Sequence, residues 1–187
     1  MRHTVIFIVA ISVLAVAATE FKNAGVFGST SQTGAQRTMI TIPQSLQAEH
    51  KAIHNALTEA TKAPGRVGAT ARELAAVLGP HFKREDEIAL PPLGLLAPLA
   101  AGEKPAGMEE ALAMTDALRK ELPRMLEEHK LIRAATEKLR TVAHEEKASV
   151  HEQFAEDLAS HARSEEEVLY PAAILVGDII RVRMAPK

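Results

Sequence analysis

An imidazole and a carboxylate one turn apart on the buried stripe of a helix can grip a cation, and this chain carries such a pair twice. In HFKREDEIALP, residues 81–91, the positions Leu74, Leu78, His81, Glu85 and Ile88 recur at steps of 4, 3, 4 and 3. That spacing is the inward face of a packed helix. Burying His81 and Glu85 there is costly unless something satisfies both. HARSEEEVLYP, residues 161–171, repeats the arrangement: a His, a Glu four positions on, further acids, a β-branched residue, and Pro ten positions after the His. A second element is duplicated too, because LQAEHKAIHNAL (46–57) matches MLEEHKLIRAAT (125–136) through a shared EHKxI. The two offsets are 79 and 80 residues. Both motifs therefore repeat in one register, and the body of the chain is an internal duplication.

Four helices must position these residues. The first opens at Thr41-Ile42-Pro43-Gln44, read as a capping box with Pro in the first turn, runs to about residue 61 and stops at Pro64-Gly65. The second opens at a further capping box, Thr70-x-x-Glu73, and reaches about residue 90, before Pro91-Pro92. A connection rich in Pro and Gly, 91–107, joins the halves. The third helix covers about 108–142 with a break or restart expected at Pro123, and the fourth about 147–176 with a kink near Pro171. Short loops within each half favour antiparallel neighbours. The expected fold class is all-α: an up-down-up-down four-helix bundle of two pseudo-equivalent helix pairs over residues 39–176, with 177–187 as a C-terminal tail.

Each helix places one His in its apolar seam. His50 sits with Leu46, Ile53 and Leu57, and His129 with Leu122, Met125, Ile132 and Thr136. His81 and His161 each precede a Glu, Glu85 and Glu165, the latter seam also holding Phe154, Leu158 and Val168. Positions i and i+4 lie ~6 Å apart along one face. Four imidazoles and two carboxylates at one level form a site for two divalent metals. Nitrogen and oxygen donors without sulfur point to iron, manganese or zinc. Asp86, Glu87, Glu166 and Glu167 read as a solvated acidic face, and His144 and His151 lie too far along their helices to join the site.

Composition bounds the alternatives. The 187 residues carry 22 Lys plus Arg against 24 Asp plus Glu, so no basic face suggests nucleic acid or DNA as a partner. Aromatics are 3%, Trp is absent, and alternating β-branched runs are missing after residue 40, which favours helix throughout. The absence of Cys excludes disulfides, thiolate metal sites, iron–sulfur clusters and cysteine nucleophiles. After Arg2 and His3 comes an apolar run, residues 5–18, short of the ~20 residues of a membrane span. With Ala15-Val16-Ala17 as a small-x-small cleavage site, residues 1–18 read as a signal peptide or a short anchor. Cleavage makes the protein periplasmic or secreted; retention ties it to a membrane through this segment alone. Residues 19–38, rich in Gly, Ser, Thr and Gln, read as a flexible tether.

Over residues 41–176 the repeated His and Glu pattern resembles the hemerythrin family, specifically the bacterial HHE cation-binding domain. The resemblance implies a non-haem di-iron centre, with His50 and His81 on one iron, His129 and His161 on the other, and Glu85 and Glu165 bridging. Two departures stand out. Oxygen-carrying hemerythrins have a fifth His one turn after the third-helix ligand, where this chain has Arg133. They also use an Asp after four intervening residues where Glu165 follows His161 after three. His54, one turn after His50 on the pseudo-equivalent helix, is the candidate fifth imidazole, so the full ligand set is His50, His54, His81, Glu85, His129, His161 and Glu165. Arg133 would then either hydrogen-bond an anion at an open position or extend to solvent. Tyr170 resembles an aromatic near this motif in relatives, and helix surface is the other reading. The implied function is binding of dioxygen or a related small ligand. The alternatives are a di-iron redox enzyme acting on peroxide or nitric oxide, and iron storage or sensing without turnover. No general acid or base is visible beyond the ligands themselves.

Overall fold

A chain built from strong helix formers yields described elements that are all helical. The computed structural model describes residues 40–186; the expected signal or anchor (1–18) and tether (19–38) lie outside the described residues. The α-helices are α1 (Gln44–Lys62), α2 (Gly65–Arg84), α3 (Leu96–Ala100), α4 (Met108–Glu145), α5 (Ser149–Ser164) and α6 (Tyr170–Met184). A π-helical turn, Glu85–Ala89, extends α2, and a second, Glu165–Leu169, joins α5 to α6. The four long columns are thus α1, α2 with its π turn, α4, and α5 running through to α6. Side-chain pairs at both ends of two interfaces show that α4 runs antiparallel to α2 and to the α5–α6 column. Arg84 and Glu73 of α2 meet Glu128 and Lys138 of α4. Arg119 and His144 of α4 meet Asp178 of α6 and Glu152 of α5. Glu49 of α1 reaches His161 of α5, closing the ring.

Neither expected capping box forms. Pro43 occupies the cap of α1 with no side-chain bond. Thr70 lies inside α2, where its hydroxyl donates to the carbonyls of Arg66 and Val67 at 2.9 and 3.0 Å. α2 starts five residues earlier because Ala63 and Pro64 alone turn the chain, with Gly65 at φ +67°. That tight reversal brings the Ala63 carbonyl so close that a Cβ on Gly68 would lie 1.8 Å from its oxygen. Pro123 does not break α4, which is one helix of 38 residues. Pro123 is exposed, so the carbonyl that loses its donor faces water.

The fourth column also continues past residue 176, where a tail was expected. Val176 and Ile180 of α6 are buried against Leu95, Leu99 and Ala111, so the Pro-rich connection covers the end of the bundle and gives α6 a surface to pack on. The two π turns reset the inward register. Leu90 donates its N–H to the carbonyl of Glu85 at 2.9 Å, and Tyr170 does the same to Glu165. Each buried stripe therefore steps by five residues, from Glu85 to Leu90 and from Glu165 to Tyr170. Val168, expected in the seam, is rotated outward and 57% exposed.

Candidate metal centre

Four helical columns deliver six polar side chains into the middle of the bundle. His50 comes from α1, His81 and Glu85 from α2 and its π turn, His129 from α4, and His161 and Glu165 from α5 and its π turn. All six are buried, His50 least so at 7% exposed. They fall into two groups, His81, Glu85, His129 and Glu165 in one, and His50, His161 and Glu165 in the other. In the first, the Nε2 atoms of His81 and His129 are 2.8 Å apart, with Glu85 3.3 Å from His81 and Glu165 3.5 Å from His129. In the second, Glu165 lies 2.7 Å from His161 Nε2 and 3.3 Å from His50 Nε2, with Glu85 at 3.9 Å from His50. Glu165 thus serves both groups. The pairing differs from that implied by the resemblance: His81 meets His129 and His50 meets His161. Around the ring α2 faces α4 and α1 faces α5, so each pair forms between the two halves of the duplication.

These donors fit cations. One oxygen of Glu85 is fully buried without a hydrogen-bond partner, a state that costs about 1–3 kcal/mol unless something satisfies it. Imidazole nitrogens and carboxylate oxygens converge there, a donor set that suits a cation.

The other ring nitrogens explain how the imidazoles are aimed. His81 Nδ1 is 3.0 Å from Glu128, His129 Nδ1 2.8 Å from Glu166, and His161 Nδ1 3.0 Å from Glu49. His50 Nδ1 is more loosely matched, 3.5 Å from Asp86. Glu128, Glu166 and Glu49 each adjoin a cluster residue of their own column yet hold the imidazole of the next column, whereas His50 Nδ1 has no hydrogen-bond partner. A carboxylate on Nδ1–H fixes the tautomer that leaves Nε2 free for metal and raises its basicity. Glu166 therefore belongs to the site and not to a solvated face; Asp86, Glu87 and Glu167 are exposed as expected. The repeated Glu-His dipeptides at 49–50 and 128–129 were the available signal for Glu49 and Glu128.

Charge within the cluster is strongly perturbed. Burial opposes protonation of His161, but Glu165 and Glu49 outweigh it and push the imidazole up to about 9. His81 is raised despite burial by Glu85 and Glu128, while burial and the neighbouring His81 lower His129. Burial also opposes ionisation of Glu165, yet His161 and His50 hold it well below the usual carboxylate range. Glu85 is pushed up by burial and by the charge of Glu165.

His54 is not brought to the centre. It is exposed and belongs to neither group. Four residues on from His50 a helix has turned about 40° past the starting direction, and Ile53 and Leu57 take the inward positions. His54 instead lines a groove of about 640 Å³ between α1 and α2, whose floor includes His50 and Phe82, stacked at 4.6 Å. Arg133 pairs with Glu166, supporting the acid that holds His129. His144 pairs with Glu152 away from the cluster, and His151 lines a separate cleft beside Phe154. Tyr170 does enter the centre. It is 1% exposed, and its hydroxyl donates to Glu85. Periodicity missed it because the π turn shifts the register just before it.

The family described as Hemerythrin HHE cation binding domain matches residues 41–173 of the chain. No curated protein matches it, and no solved structure does.

Proposed function

From the premise that the chain belongs to the hemerythrin HHE cation binding domain family, we propose that it holds two iron ions and binds dioxygen or a related small ligand at them. The observation that carries this is the pair of buried His and carboxylate groups sharing Glu165. His50, His81, Glu85, His129, His161 and Glu165 would hold the ions; manganese or zinc suits the same donors. Iron would supply the electrons for chemistry on the small ligand. The chain's own residues do the rest. Glu49, Glu128 and Glu166 retain the Nδ1 protons that orient the imidazoles. Leu78, Ile132 and Leu158 keep one side of the centre dry, and Met125 lies on the other. The groove between α1 and α2 admits a small molecule to the His50 side. The apolar run at 5–18 supports export, or anchoring to a membrane, as the setting for this domain.

The exposure of His54 favours a second reading. A centre with four imidazoles has one more open position than a centre with five, which suits redox turnover of peroxide or nitric oxide better than carriage. One experiment separates the readings: purify the full chain under low oxygen, count metals, and record optical spectra before air, after air and under vacuum. Carriage gives two irons per chain and a visible band that forms in air and disappears under vacuum. Irreversible change with consumption of added peroxide selects the enzyme. Iron that ignores both reagents leaves storage or sensing.

A further inference from the structure

We infer that Tyr170 is a metal ligand, its phenol oxygen completing the group of His81, Glu85 and His129; the inference rests on the reading of that group as a metal centre. The phenol oxygen lies 3.1 Å from His129 Nε2 and 3.3 Å from His81 Nε2, and it donates to Glu85. Adjacent donors on a six-coordinate ion with bonds of ~2.1 Å stand about 3.0 Å apart. The triangle of Tyr170 oxygen, His129 Nε2 and His81 Nε2, with its third side at 2.8 Å, has that size. A tyrosine placed only to steady Glu85 from outside has no need to sit between both inward-facing nitrogens. All three polar contacts of the hydroxyl are with members of this one group.

The duplication supplies an internal control. The residue matching Tyr170 in the first half is Leu90, five positions after Glu85 as Tyr170 is five after Glu165. Both follow a π turn and both are fully buried. The same backbone device thus aims a side chain inward twice, and only one of the two carries oxygen. The ion of His81 and His129 gains a phenolate, a donor that ferric iron accepts in other proteins. The ion of His50 and His161 keeps its open position beneath the groove. On binding, the phenol O–H breaks, the proton departs through Glu85 to solvent, and an oxygen–metal bond forms without change of oxidation state.

Tyr170 is the single Tyr of a chain without Trp, so tyrosine absorption reports on it alone. Zinc is titrated into the metal-free full chain while bound zinc is counted and ultraviolet difference spectra are recorded. A tyrosinate signal that saturates at one per chain is expected, absent from Tyr170→Phe, which still takes up zinc. With ferric iron, a visible phenolate-to-iron charge-transfer band with tyrosinate ring modes in its resonance Raman spectrum is expected, again absent from Tyr170→Phe. Zinc bound with the phenol signal unchanged, or a ferric spectrum identical in Tyr170→Phe, overturns ligation and leaves a hydrogen bond. No zinc bound to the unaltered chain overturns the metal centre itself and this inference with it. Should Tyr170→Phe fail to fold, the zinc titration of the unaltered chain decides alone.

Discussion

At the scale of single residues, the centre divides labour between the two nitrogens of each imidazole. Nε2 faces the other donors of the cluster, and Nδ1 faces an acid supplied by the neighbouring column. Removal of an acid should therefore weaken the site without abolishing it. Glu128→Gln keeps an acceptor for His81 but loses the charge, and metal affinity should fall about 10–100-fold in competition with a chelator. His81→Ala removes a ligand outright, leaves Glu85 poorly held, and should cost most of the bound metal. His151→Ala should retain full metal content, because His151 lies in the outer cleft. Equal losses in all three variants would mean that the seam does not hold the ions.

At the scale of elements, the glycines show where helices are tightly joined and where they are not. Gly68 sits against the Ala63 carbonyl in the reversal between α1 and α2, where a Cβ has no room and only backbone to push against. Gly79, in the middle of α2, would place a Cβ in open space on the groove wall. Glycine in a helix interior costs about 0.5–1 kcal/mol relative to Ala. Gly79→Ala should therefore raise the free energy of unfolding by that increment, moving the denaturant midpoint upward, and leave metal content unchanged. Gly68→Ala should lower the midpoint, because α2 must shift to admit the methyl group. A destabilising Gly79→Ala would show that the groove is narrower than its shape indicates. The π turns matter at this scale as well: a single residue separates each from a following Pro, and each brings a buried Glu and a second inward side chain onto one face.

At the scale of the whole molecule, four His and two Glu side chains, with Tyr170, occupy a largely apolar core, so metal, protons and folding are linked. His161 shows the sign. Its imidazole is raised from 6.5 to about 9 by Glu165 and Glu49 against burial. In the metal-free protein the protonated form thus adds stability, on the order of 3 kcal/mol, that is complete below the unfolded value. That contribution fades as pH rises from 6.5 through 9. Metal needs the same nitrogen neutral, so its affinity climbs across the window in which the metal-free fold weakens. Metal should leave as pH falls through this window, at higher pH than an ordinary His near ~6.5 would dictate. Melting temperatures with and without metal should accordingly diverge between neutral pH and pH 9. A metal-free form whose melting is flat over this range, or chelation without any change in melting, would contradict the linkage.

The sequence by itself determined that the chain is helical, that His50, His81, His129, His161, Glu85 and Glu165 share one level of the bundle, and that their chemistry suits a cation. These features are local: a period of 3.6 residues assigns each side chain to a face, and two motifs repeated at offsets of 79 and 80 leave little freedom in how the halves correspond. Only the tertiary structure decided which imidazole meets which, because that depends on the order of columns around the ring, about which periodicity is silent. The same holds for Glu166, which holds a ring nitrogen on another helix, and for α6, whose length follows from the surface that Leu95 and Leu99 present. His54 was excluded by a rotation of about 40° that competing seam residues made decisive. Tyr170 was hidden for a related reason. One extra residue in a π turn rotates everything after it by about 100°, and a periodic reading carried straight through Glu165 sets Val168 inside and Tyr170 outside, the reverse of what the folded chain does.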